Sequence, residues 1–202
     1  MSRKELKSRA RAQLGNGIFK DNWLYAVLVV IIEWVLVVAI NGLPGIGAVA
    51  SLLICGAITY GTNKLFLKQA RDGQKMDVAG IFDGFKEDFG GNLLLGLIRS
   101  LLIALWSLLF VIPGIVKNYA YSMAFFVKAD HPEYDWRTCL NESRRLMQGN
   151  KMRLFELDLS FWGWAIVGTL CFGIGTFWVT AYQQATHAQF YQEICGKTDF
   201  TI

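Results

Sequence analysis

Charge is what this sequence has least of. Only 18% of its 202 residues are Asp, Glu, Lys or Arg, against about 25% in an average soluble domain, while 53% are hydrophobic. So few charges leave little to face water and point to lipid. The signatures of hydrolases and nucleotide-binding enzymes are missing too: there is no G-x-S-x-G, H-E-x-x-H, P-loop or dinucleotide fingerprint. The two histidines, His131 and His187, stand far apart, and Cys55, Cys139, Cys171 and Cys195 have no C-x-x-C spacing. Neither a metal site, a disulfide framework nor a cofactor is therefore expected. A net charge of +4 is too small to imply nucleic acid as a partner. No short apolar core with a cleavage site opens the chain, so the first span is expected to act as the targeting signal.

What is there is apolar sequence in long runs, at residues 23–40, 43–60, 93–112, 115–129, 154–172 and 174–190. They form pairs joined by very short links, and the residues expected to make the hairpin turns are Pro44 and Gly45, Pro113 and Gly114, and Gly173 and Gly175. Residues 93–112 are the strongest span: 14 Leu, Ile, Val or Phe side chains, at about −0.3 to −0.6 kcal/mol each, outweigh one Arg at about +3. The fourth run has Lys117 and Asn118 near its start, which allows a short, tilted or re-entrant helix.

The polar segments between pairs have helical periodicity. Ser2 and Glu5 make a capping box ahead of Leu6, Ala10 and Leu14 on one face. Asp77 is placed to cap a second helix with Val78, Ile81, Phe82, Phe85 and Phe89 on its apolar side, and Asp135 a third with Trp136, Cys139, Leu140 and Met147. Such helices commonly lie in the interface plane. The expected fold is all-α: a polytopic integral membrane protein of about six transmembrane helices, arranged as three helical hairpins, each preceded by a cytoplasmic amphipathic helix. It forms one membrane domain over residues 1–202, with repeat units 1–75, 76–133 and 134–202. Asn22, Asn92 and Asn150 begin the three hairpins, each 22 or 23 residues before the Gly of its turn. Of the 20 Lys and Arg residues, 18 lie in the termini and long connections, which places both termini in the cytoplasm and the hairpin turns outside.

Ionisable residues within spans are costly and need a partner or a wet path. The candidates are Glu33, Arg99, Lys117, Glu156, Asp158 and His187. Arg99 and Asp158 follow Asn92 and Asn150 by similar distances, so parallel spans are expected to pair them, with Glu156 as the competing acid. His187 with Gln183 and Gln184 forms a polar stripe suited to helix-to-helix hydrogen bonding. Arg9, Arg11, Arg144 and Arg145 are placed to meet anionic lipid headgroups.

The stretch Trp106-Ser107-Leu108-Leu109-Phe110-Val111-Ile112-Pro113-Gly114-Ile115-Val116-Lys117 resembles the signature of a bacterial membrane family known as domain of unknown function 975. So do Ser143-Arg144-Arg145-Leu146-Met147 and Leu157-Asp158-Leu159-Ser160-Phe161. The resemblance implies a multi-span protein of the bacterial cytoplasmic membrane and singles out Pro113, Gly114, Lys117 and Asp158, but it carries no activity. The expected function is a non-enzymatic membrane component that interacts with lipid or with other membrane proteins. The alternative is a small transporter for a solute or proton using Glu33, Arg99, Asp158 and His187.

Overall fold

The structure is a computed structural model and describes residues 3–15, 22–42, 47–72, 76–170 and 173–198. The expected turn residues Pro44 and Gly45 lie outside them. The described residues are helical, with no strand: α1 (Arg3–Leu14), α2 (Asn22–Asn41), α3 (Gly47–Asp72), a 3₁₀ turn (Val78–Phe82), α4 (Asp83–Lys86), α5 (Phe89–Leu109), α6 (Val111–Ala120), α7 (Ala124–Asp130), α8 (Trp136–Leu146), α9 (Lys151–Leu170) and α10 (Ile174–Thr198). Among them two segments are both long and apolar enough to cross a bilayer, Asn22–Asn41 and Phe89–Leu108. The other long helices are mixed in character. α9 carries Lys151, Arg153, Glu156 and Asp158 in its first half, and α10 is rich in Gln.

Contacts divide the chain into two compact units, one of Met1–Ile32, Leu65–Val78 and Met152–Ile202, the other of Glu33–Lys64 and Ala79–Lys151. In the first, Leu6, Ala10 and Leu14 recur every fourth residue, fall on one stripe of α1 and are buried. α1 packs along α10. The stripe that the sequence would assign to the lipid interface is thus covered by protein, because a neighbouring helix offers it a dry surface.

In the second unit α5 and α6 form a hairpin, and α7 and α8 pack beside α5. Its turn is not at Pro113 and Gly114. The helix breaks earlier, at Phe110, which is extended (φ −158°, ψ 141°). Proline lacks the N–H that an ongoing helix needs, but the first turn of a new helix needs none there. Pro113 therefore belongs to the start of α6, and Gly114 serves close approach: a Cβ on it would lie 2.8 Å from Ser107 Cα. The fourth apolar run is broken again at residues 121–123, leaving α6 with 10 residues and α7 with 7.

The second amphipathic helix also departs from expectation. It is a 3₁₀ turn followed by four α-helical residues, because the segment is moulded onto α3. Gly84 lies against the Ala57 carbonyl so closely that no Cβ fits. The third forms as expected, with Asp135 Oδ1 accepting from the Thr138 amide at 2.9 Å and Cys139, Leu140, Ser143 and Leu146 buried.

The three asparagines that begin the hairpins have a shared role. Each side-chain Nδ2 donates to backbone carbonyls at the end of the preceding polar helix or just beyond it: Asn22 to Gln13 O at 3.4 Å, Asn92 to Gly84 O at 3.2 Å and Glu87 O at 2.7 Å, and Asn150 to Leu146 O at 2.9 Å. Carbonyls at a helix C-terminus lack intrahelical partners, and an amide donor one short connection downstream supplies them.

Candidate functional site

The polar residues expected inside spans fall into separate networks. In the first unit Asp158 on α9 faces α10. Its Oδ1 lies 2.7 Å from His187 Nε2 and accepts from Gln183 Nε2 at 2.9 Å. Gln183 and His187 are one helical turn apart, so both reach a single carboxylate. Nearer the chain's polar connections, Arg153 Nη2 reaches both oxygens of Glu193 at 2.9 and 3.0 Å. Gln13 donates to Gln69 Oε1 and accepts from Gln189 Nε2.

α1 is fastened at the same face. Lys7 lies 4.0 Å from the centre of the Phe161 ring, and Tyr182 Oη donates to Lys7 O at 2.9 Å. Burial, and then the nearby Arg3 charge, hold the Lys7 ammonium below the ordinary lysine range. Glu156 is not interior: it pairs with Arg3 at 3.6 Å on the exposed surface, an arrangement worth about 0–1 kcal/mol.

In the second unit Arg99 is the eleventh of the 21 residues of α5. Its Nε donates to Tyr121 O at 3.2 Å and its Nη2 to Asn118 Oδ1 at 3.3 Å. Tyr121 follows the last residue of α6, so the guanidinium sits at the negative end of that helix and serves a carbonyl freed by the break. The expected Arg99–Asp158 pair would join the two units, and each residue has described partners within its own unit. Arg99 caps a helix end, and Asp158 takes His187 and Gln183. Lys117 lies 4.7 Å over the Trp106 ring. Glu33 on α2 has the Thr62 hydroxyl as its polar neighbour, while Thr62 Oγ1 is buried without a partner in hydrogen-bonding range.

One buried, fully bonded cation is a residue that the sequence did not single out. Lys128 is 2% exposed and donates to Asp88 Oδ2 at 2.6 Å, Pro132 O at 2.8 Å and Tyr134 O at 2.7 Å. Those three bonds use all the donors of an ammonium. Asp88, at φ +44°, is the one non-Gly residue in left-handed conformation among those described, and it also accepts from the Gly91 amide. Lys128 first, and the Gly91 amide after it, hold the Asp88 carboxyl below its usual range. The signal in the sequence was a lysine near the end of the fourth apolar run.

Of the remaining turn residues, Gly173 has φ +77° and makes the bend. Gly175 provides close approach, since a Cβ on it would fall 2.8 Å from Gly168 Cα. Arg9, Arg11, Arg144 and Arg145 are all exposed, with Arg9 3.3 Å from Glu5 and Arg145 2.9 Å from Glu142. Among the described residues no cluster of three His, Cys, Asp or Glu could hold a metal ion.

The sequence model of the family described as "Protein of unknown function (DUF975)" matches residues 1–117 and 108–198. No curated protein and no solved structure matches the chain.

Proposed function

Since the chain belongs to that family of unknown function, we propose from its surface that it is a multi-pass protein of the bacterial cytoplasmic membrane. It works there as a non-enzymatic component that engages anionic lipid headgroups or other membrane proteins. One observation carries the reading: large apolar side chains stand exposed in bands. On α2 these are Leu24, Leu28, Trp34, Val35 and Val38; on α5 and α6, Leu101, Leu105, Leu108, Val111 and Ile112; on α9, Leu159, Trp162, Trp164 and Ile166. Water-soluble monomers rarely expose contiguous apolar surface beyond a few hundred Å², whereas acyl chains accept it at no cost.

On this reading the six spans are α2, the first part of α3, α5, the broken pair α6–α7, α9 and α10. α6 alone, at about 1.5 Å per residue, reaches only about 15 Å and cannot cross a core of about 30 Å. The exposed Arg11 and Arg144 then lie on the cytoplasmic side, where each basic residue adds about 1 kcal/mol of attraction to anionic lipid.

Alkaline carbonate washing tests the membrane reading: the chain is expected to stay with the bilayer, and release into the supernatant would overturn it. Orientation is tested in a cysteine-free background with a membrane-impermeant maleimide added to intact cells. It should reach Phe110→Cys and miss Glu142→Cys, and the reverse pattern would refute the proposed topology. The transporter alternative is favoured by the Asp158–His187 pair across α9 and α10. Proton or solute flux into vesicles that disappears in Asp158→Asn would establish it in place of the scaffold.

A further inference from the structure

The α5–α6 hairpin has an unbalanced charge. Residues 89–120 contain Arg99 and Lys117 and no Asp or Glu. Lys117 has the Trp106 ring as its described partner. Arg99 spends two of the five N–H groups of a guanidinium on Tyr121 O and Asn118 Oδ1. The end of α6 offsets roughly half a unit of its charge. Three N–H groups of Arg99 are left with no acceptor among the described residues.

Asn118 deepens the asymmetry. Its Oδ1 faces Arg99, so its Nδ2, with two more N–H groups, points away from that bond. Asn118 is exposed, and Ile115 and Val116 beside it are exposed and apolar. What remains at this spot, beside the Phe125 ring 5.9 Å from the guanidinium, is a set of donors with a net positive charge and no hydrogen-bond acceptor among the described residues, set in an apolar band. Water would satisfy such a group at an ordinary surface. Within a bilayer, unmet donors and an unmatched charge each cost several kcal/mol.

We propose that Arg99 and Asn118 form a binding site for a phosphate-type oxyanion. The guanidinium fork presents parallel N–H groups that match two oxygens of one anion, and the Asn118 amide adds donors for a third. An oxyanion supplies acceptors and negative charge together, which are the two things the hairpin lacks. Lys117, on the residue before Asn118, adds a second positive charge to the same hairpin. The inference rests on the reading that this hairpin lies in lipid. The phosphate comes either from a lipid headgroup or from the free anion.

The test uses the full chain in an uncharged detergent, titrated with inorganic phosphate by calorimetry and with phosphatidylglycerol by native mass spectrometry. Saturable uptake of one phosphate or one lipid per chain is expected, and the arm that responds identifies the source. Arg99→Gln should abolish uptake, but it also uncaps α6. Asn118→Asp is the decisive variant. It keeps the oxygen that Arg99 binds and builds in the missing counter-charge, so the protein should fold at least as stably while affinity falls by at least about tenfold through like-charge repulsion. Uptake by Asn118→Asp equal to the parent's, or no uptake of either probe by the parent, overturns the site. Release of the parent by the carbonate wash would instead remove the membrane reading, so the two failures are distinguishable.

Discussion

Leu95 and Leu108 lie on one helix in one hairpin, yet Leu95 is fully buried and Leu108 is 86% exposed. Around Leu95, α5 is crowded. Gly96 meets Gly56 of α3 with a Cβ-to-Cα separation of only 2.7 Å, and α7 and α8 also pack on α5. At the Leu108 end α5 has α6 beside it, and Phe110, Val111 and Ile112 are exposed as well. The contrast separates two meanings of an apolar residue. At the polar end of the hairpin it fills a protein core; at the turn end, on the proposed membrane reading, it meets a solvent that is itself apolar.

The largest effect is expected in the crowded region. Leu95→Ala should lower unfolding stability in detergent by about 2–5 kcal/mol, the usual cost of a core cavity. A loss below about 0.5 kcal/mol, the range of ordinary surface changes, would break the comparison. The same region holds the Lys128–Asp88 bond. Because the folded Asp88 carboxyl is held below its usual range, its contribution is present above the unfolded value near pH 4 and is lost as pH falls through the folded value. The carboxylate is half exposed, so solvent screening limits this to about 1 kcal/mol or less. Asp88→Asn should flatten the acid limb of the stability curve below about pH 4 while keeping the helix cap and the left-handed backbone that Asn tolerates. An unchanged acid limb would mean that Lys128 is held by the two carbonyls alone.

Where hydrophobic periodicity decides structure, the sequence was readable. α1, α2, α5, α8 and α9 lie close to where apolar runs and caps place them. The misplacements share a cause, which is backbone geometry set by tertiary contact. Pro113 was read as part of the hairpin turn when it lies in the first turn of α6, and the 78–89 segment was read as one helix when Gly84 and the Ala57 carbonyl mould it onto α3. α3 runs on to Asp72, past the Tyr60 at which its apolar run ends, with Leu65, Phe66 and Leu67 of the continuation buried. Site residues were legible as isolated ionisable groups in apolar sequence, which found Arg99, Asp158 and His187 but not their partners. Depth estimated by counting from an asparagine cannot register a helix break at residues 121–123, and it was that break that gave Arg99 a carbonyl to cap.

The smallest expected effect is the most direct test of what covers the turn end. Leu108→Ala removes three carbons from a side chain that makes few protein contacts. Acyl chains or detergent tails are as apolar as leucine, so they fill the space without a transfer penalty, and no cavity forms. Stability should change by less than about 0.5 kcal/mol, measured under the same conditions as Leu95→Ala. A loss as large as that of Leu95→Ala would show that protein, not lipid, lies over Leu108. The exposed apolar band of α5 and α6 would then be an interface with a second polypeptide, and the contrast between the two ends of the hairpin would hold only for the isolated chain.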